Sequence, residues 1–270
     1  MANWRDTGYG GVVMAIWTLA SVPFVVIGIL LAVPVLGRRR AFFAIGPLFA
    51  RGMAWFCHVP FTLQGWERLP ESIRKGRQSV IFMSNHESQL DPPILVAALP
   101  VPAVYLAKKE LQYVPFIGWA AWVAGVIFID RGDRDRAIRS IHDAAQQIRG
   151  GKNVVIFPEG TRSRTGQMLP FKKGGFALAL DADVPIVPMA TVGGFHVLPP
   201  RSLRIRPGRF TVLMGDPVHP SDHRDRDALM KEVRTRIENL VAEATISERE
   251  ALLSEQRGKL SGPDHTQASA

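Results

Sequence analysis

A chain of 270 residues and 29.8 kDa has room for one large domain or a domain with an appendage, and 47% hydrophobic residues exclude a disordered polymer. A single cysteine, Cys57, excludes an internal disulfide framework and any multi-cysteine zinc site. The net charge of +9 suits an anionic partner such as nucleic acid, lipid head groups or a phosphorylated substrate.

The first element is apolar. From Thr7 to Gly37 there are 31 consecutive residues without Asp, Glu, Lys, Arg or His. A bilayer-spanning helix needs roughly 20 apolar residues, and a signal peptide has a shorter apolar stretch, about 7–15 residues, followed by a cleavage site. Pro23 and Pro34 each remove a backbone donor, so the segment either spans with a kink or enters one leaflet. Arg38, Arg39 and Arg40 follow directly, which places them on the cytoplasmic side by the positive-inside bias. Next, Phe42, Ile45, Phe49, Met53 and Phe56 recur near helical spacing, the pattern of a helix lying in the interface. Residues 1–58 are therefore expected to anchor the protein to the cytoplasmic membrane. Removing them should leave a soluble domain that works poorly on bilayer substrates.

Beyond Val59, short apolar runs alternate with helical patterns. Strands are expected at Ser79–Ser84, Ala103–Ala107, Val126–Ile129, Asn153–Phe157, Pro185–Ala190 and Phe210–Met214. Helices are expected at Pro92–Leu99, Val114–Val123, Arg134–Arg149 (capped by Asp133 or Asp135), Gly174–Leu180 and Arg224–Glu255. This alternation implies an α/β domain over 59–257 with a largely parallel central sheet flanked by helices. The polar stretch 258–270 reads as a flexible tail.

Four segments carry the candidate chemistry. Ser84-Asn85-His86-Glu87-Ser88-Gln89-Leu90-Asp91-Pro92 follows a strand, where sites in open α/β sheets form. A loop of that length lets Asp91 accept from one imidazole nitrogen of His86 and leaves the other as a base, although the same pair also suits a purely structural role. Phe157-Pro158-Glu159-Gly160-Thr161-Arg162-Ser163 follows another strand and offers an Arg fork suited to phosphate; an ordinary turn with a surface Arg fits equally. Gly125–Arg131 ends a strand in Asp130-Arg131, which alone could be a solvated ion pair. Val184–Pro188 reads as structural or pocket-lining. Ser88 has no Gly-x-Ser-x-Gly elbow around it, so a serine nucleophile is disfavoured. His86 and Asp91 lack the further ligands zinc requires, so no metal is expected.

In this order, the four segments resemble the blocks of the glycerolipid acyltransferases, most closely the PlsC-type lysophosphatidic acid acyltransferases. Asn85-His86 and Asp91 look like the family's NHx4D block, and Phe157–Ser163 matches its FPEGTRS block letter for letter. The resemblance covers roughly residues 60–215 and makes 59–257 an acyltransferase domain. It implies a catalytic base in His86 oriented by Asp91. It also implies that Glu159, Gly160, Thr161 and Arg162, with Arg131 and, less directly, Lys108, bind the acceptor's phosphate and glycerol. The expected reaction moves an acyl group from acyl-CoA or acyl-carrier protein, as co-substrate and without a cofactor, to the free sn-2 hydroxyl of 1-acylglycerol 3-phosphate. The product would be phosphatidic acid, made for phospholipid biosynthesis at the membrane. The alternatives are another acceptor (glycerol 3-phosphate, a lysophospholipid or a lyso-aminolipid) or a non-enzymatic membrane lipid-binding protein. Nucleic acid is not an expected partner, because no aromatic–basic stripe appears.

Overall fold

The structure, a computed structural model, describes residues 27–29, 31–114, 117–130, 132–202 and 204–260. Most of the apolar segment, residues 7–26, lies outside them, as do Arg131 and residues 261–270. Among the described residues, no helix is long and apolar enough to cross a membrane.

Helix α1 (Arg38–Phe56) leads into strand β1 (Phe61–Gln64) and a short helix α2 (Glu71–Arg74). There follow β2 (Ile81–Ser84), α3 (Asp91–Ala98), β3 (Ala103–Lys108), α4 (Ile117–Ala124), β4 (Ile127–Ile129), α5 (Arg134–Arg149) and β5 (Asn153–Ile156). The chain closes with α6 (Gly174–Ala182), β6 (Ile186–Val192), α7 (Gly194–Val197), β7 (Phe210–Met214) and α8 (Arg226–Leu260). Helix α8 therefore runs through 258–260, which the sequence assigned to the tail.

The seven strands form one sheet in the order β1-β7-β6-β2-β5-β3-β4. Strands β6, β2, β5, β3 and β4 run parallel, while β7 meets β6 antiparallel and carries β1 parallel to itself. The sheet is thus mixed: a five-stranded parallel unit with a reversed pair at one edge. A reversed β7 is compatible with its continuous apolar run, because it is covered on both faces like its parallel neighbours.

Side chains of the central strands alternate between two layers. Phe82, Val155, Val187 and Met189 meet α1 and α3 through Met53, Ala54, Ile94 and Leu95. Ile81, Met83, Val154, Ile156 and Ile186 meet α5, α6 and α8 through Ala144, Ile148, Phe176, Leu229, Val233 and Ile237. Complete burial of a side chain such as Phe82 contributes roughly 1.5–3 kcal/mol, and the period-2 alternation fixes which layer each residue serves. Helix α5 begins where expected, with the Asp133 side chain accepting from the amide of Asp135 at 3.1 Å.

Helix α1 is docked on this core. Ala50, Met53, Ala54 and Cys57 are buried in it, so a cut at residue 58 would uncover part of the domain's own interior. Helices α1 and α4 also carry large apolar side chains that stay exposed: Trp55 is 78% exposed, Trp119 71%, Leu48 65% and Trp122 60%. Buried Cys57 makes a direct prediction. Desolvation pushes its thiol up to about 11, so almost no thiolate exists near pH 8. A disulfide reagent should label it slowly in native protein and rapidly in denaturant, and fast native labelling would contradict its burial. The neutral thiol is the form that folding favours. Its contribution to stability is intact below the ordinary thiol range and is lost as pH rises through about 11.

Candidate active site

Strands β2 and β5 are adjacent, yet their connections leave in opposite directions. From β2 the chain passes through α3 to β3 on one side, and from β5 through α6 to β6 on the other. This reversal opens a crevice beyond the carboxyl ends of the two strands, the place where open α/β sheets bind ligands. The loops that enter it are 85–90 and 157–173, which hold the two strongest motifs.

They are stitched together by main chain. The His86 amide donates to Glu159 Oε1 at 2.8 Å, and the Ser163 amide donates to the His86 carbonyl at 2.8 Å. The second oxygen of Glu159 accepts from the Leu169 amide at 2.7 Å. Asn85 fastens the other flank: its Nδ2 donates to the Thr191 carbonyl at 2.8 Å and its Oδ1 accepts the Thr191 amide at 2.7 Å. The end of β2 is thereby tied to β5 and β6 at once.

Asp91 opens α3 and is fully buried. Its Oδ2 accepts from His86 Nδ1 at 2.6 Å and from the amides of Glu87 and Ser88 at 2.8 and 2.9 Å. An acceptor shared among three donors requires the proton on Nδ1, so in the neutral imidazole the lone pair is on Nε2. Oδ1 has no hydrogen-bond partner among the described residues. Gly194 packs beside it, where a Cβ would come within 2.8 Å of Ser88 Cβ and 3.1 Å of Asp91 Oδ1. Ser88, by contrast, is turned away: its hydroxyl donates to the Leu198 carbonyl at 2.7 Å and accepts from the Leu90 amide at 3.1 Å. A wholly buried hydroxyl so engaged has no orientation left for nucleophilic attack.

Glu159 is only 2% exposed and spends both oxygens on backbone amides. Burial raises its carboxyl above the usual range, against the opposing pull of the Leu169 and His86 amides. Glutamine has one oxygen where two amides need acceptors, so Glu159→Gln leaves one of them facing a donor, at about 1–3 kcal/mol. The expected result is a lower melting temperature with faster amide exchange at residues 86 and 169. Unchanged exchange at both would contradict this clamp.

Gly160 lies at φ +70, so the turn requires glycine, and a Cβ there would sit 2.9 Å from Cδ of the Lys172 side chain that crosses it. Thr161 and Arg162 are exposed on the same loop. Lys108, at the end of β3, lines a cavity of about 440 Å³ together with Gly160, Lys172, Phe157, Leu106 and Ile129. His86 and Glu159 line another, of about 270 Å³, with Asn85, Glu87 and Arg234. Asp130 pairs with Lys109 Nζ at 3.2 Å and accepts from the Gly132 amide at 3.0 Å. The Gly132 amide first, and then Lys109, hold its carboxyl below the usual range. The acid of the Asp130-Arg131 segment is therefore occupied by another partner, while Arg131 lies outside the described residues.

The fold and the paired loops define an open α/β protein with a histidine–carboxylate centre at the sheet's switch point. Residues 61–192 match the family model Acyltransferase. The chain is 37% identical over 194 residues to the sheep protein named 1-acyl-sn-glycerol-3-phosphate acyltransferase alpha, covering 70% of this chain and 65% of that one. It is 35% identical over 178 residues to the coconut (Cocos nucifera) 1-acyl-sn-glycerol-3-phosphate acyltransferase, covering 66% and 56%. The chain thus spans between about half and two thirds of the length of these relatives. The crystal structure of the 1-acyl-sn-glycerophosphate (LPA) acyltransferase PlsC from Thermotoga maritima superposes with a TM-score of 0.74. That match covers 87% of this chain and 96% of PlsC at 22% identity, a likeness of fold. Residues 61–192 therefore carry the likeness to the acyltransferase family.

Of the residues singled out from sequence, His86, Asp91 and Glu159 are brought into one hydrogen-bonded group, and Gly160 and Lys108 share a cavity. In the sequence Asn85 stands only as part of a motif, and Phe157 only as the start of one. The conjunction of both with His86 arises from contacts across three strands, which no local pattern announces. Lys172, in Phe171-Lys172-Lys173-Gly174, passes close beside Gly160 and lines the same cavity as Lys108.

Proposed function

We propose that this protein transfers an acyl group from a thioester, acyl-CoA or acyl-carrier protein, to the free hydroxyl of 1-acylglycerol 3-phosphate, forming phosphatidic acid. The observation that carries the reading is the His86–Asp91 contact at 2.6 Å, set in a crevice between two strand ends and beside the Phe157–Ser163 loop. Names of relatives at 35–37% identity support the acceptor.

In this mechanism Nε2 of His86 takes the hydroxyl proton as that oxygen attacks the thioester carbonyl. The tetrahedral adduct collapses, the C–S bond breaks, and the leaving thiolate takes the proton back from the imidazolium. Asp91 holds the tautomer and offsets the transient charge. Lys108, Lys172, Arg162 and Arg131 supply positive charge for the acceptor's phosphate, and Glu159 acts at one remove by clamping the His86 amide. The exposed Trp55, Trp119, Trp122 and Leu48 side chains meet the bilayer that contains the lysolipid, since aromatic rings favour the interface. In this reading the crevice works at the membrane surface, on the cytoplasmic side if Arg38–Arg40 follow the positive-inside bias.

The test is to supply 1-acylglycerol 3-phosphate, glycerol 3-phosphate, lysophosphatidylcholine and a lyso-aminolipid in turn, with each donor type, and follow the acylated product. Strong preference for the lysolipid bearing a terminal phosphate is expected. Equal turnover of a phosphocholine acceptor would reject the phosphate grip, and binding of lysolipid without any turnover would make the chain a lipid-binding protein.

A further inference from the structure

Asp91 fixes His86 at one atom only. A single hydrogen bond at Nδ1 sets the direction of the imidazole but leaves its plane free to swing about that bond, and a swinging ring would sweep Nε2 past the acceptor hydroxyl. Something else must set the plane. The imidazole lies on the ring of Phe157, centroids 4.0 Å apart and planes within 16°. Phe157 in turn lies nearly parallel to Tyr105, at 6.1 Å and 12°. Tyr105 does not end the column in open space: its hydroxyl donates to the Pro92 carbonyl at 2.7 Å. Pro92 follows Asp91 in the chain.

The contacts close a circuit from Asp91 to His86, Phe157, Tyr105 and Pro92, and back through one peptide bond to Asp91. Its members come from the loop after β2, the residue after β5, and the middle of β3, so the sheet itself holds the rings in register. We propose that Phe157 is a positioning residue for His86, its ring face setting the plane of the imidazole while Tyr105 braces it from behind. The inference rests on the acyl-transfer reading above for its kinetic consequence, but the stack can be observed without turnover. Burial, followed by the nearby charge of Asp91, holds the Tyr105 phenol well above its ordinary range, so it remains a donor to Pro92 throughout the working pH range. The Phe157 face also presents its negative quadrupole to the imidazole, which favours the imidazolium formed during transfer.

Phe157→Leu keeps a similar apolar bulk and removes the ring. The expected result is a fall in kcat on the order of 10–100-fold, because the base is misplaced, with KM for donor and acceptor altered by less than about threefold, since leucine keeps the apolar lining that Phe157 gives the Lys108 cavity. Proton NMR of the His86 ring should show its signals moving downfield as the ring-current shift disappears. Phe157→Tyr, which restores a ring, should return both kcat and the signals toward wild type. Tyr105→Phe keeps the rings but loses the Pro92 bond, and a smaller kcat loss in the same direction is expected. The proposal is overturned if Phe157→Leu turns over like wild type, or if Phe157→Tyr is as impaired as Phe157→Leu. Wild-type protein that acylates none of the acceptors would instead reject the catalytic reading, with the ring signals still reporting the stack.

Discussion

Replacing His86 by alanine should lower acyl-transfer turnover by about 10²–10⁴-fold, the usual worth of a positioned general base. The fold should survive. The bonds that tie residue 86 to Glu159 and Ser163 belong to the main chain and do not depend on the imidazole. Asp91 Oδ2 would retain the Glu87 and Ser88 amides. The variant should therefore melt close to wild type by circular dichroism while forming phosphatidic acid at a small fraction of the rate. Near-normal turnover would remove His86 from the mechanism, and a lost melting transition would assign it a structural part instead.

Asp91→Asn should be nearly as damaging to catalysis, by about 10²–10⁴-fold, for a different reason. An asparagine oxygen in place of Oδ2 can still accept from His86 Nδ1 and both amides, so the loop keeps its shape. Its NH2 then falls where Oδ1 lies, buried without a partner among the described residues, at a cost of about 1–3 kcal/mol. What disappears is the negative charge that offsets the imidazolium. The expected signature is a reduced kcat with KM little altered and a modest drop in melting temperature. Asp91→Ala, which orphans the two amides, should melt lower still. If Asp91→Asn retained wild-type kcat, the carboxylate's charge would have no part in the reaction.

The α/β class, the near-continuous apolar strands and the α5 boundaries could all be read from periodicity, because burial in a parallel unit demands such runs. The reversed β7 could not be read: Phe210–Met214 is apolar at every position apart from Thr211, and such a run does not reveal its direction. Strand β1, Phe-Thr-Leu-Gln, passed unnoticed because an edge strand of four residues with alternating burial looks like an ordinary turn approach. Helix α1 showed its helical spacing, but the sequence suggested a strip of Phe42, Ile45, Phe49, Met53 and Phe56 facing lipid. Of these only Met53 is buried in the core, where it is joined by Ala50, Ala54 and, just past the helix end, Cys57; the small Ala50 and Ala54 let the helix approach α3. At the site, His86 and Asp91 could be paired by spacing, whereas Glu159 looked substrate-facing until both its oxygens were found on backbone amides. A carboxylate beside a Gly-Thr-Arg turn has the same letters whether it points outward or inward.

The hydrogen bond between residues 86 and 159 spans 73 positions, and that between 85 and 191 spans 106. No contiguous fragment shorter than that can display the reactive geometry. A nascent chain should stay chemically silent until its sixth strand has left the ribosome, and refolding protein should regain turnover only with the final cooperative phase.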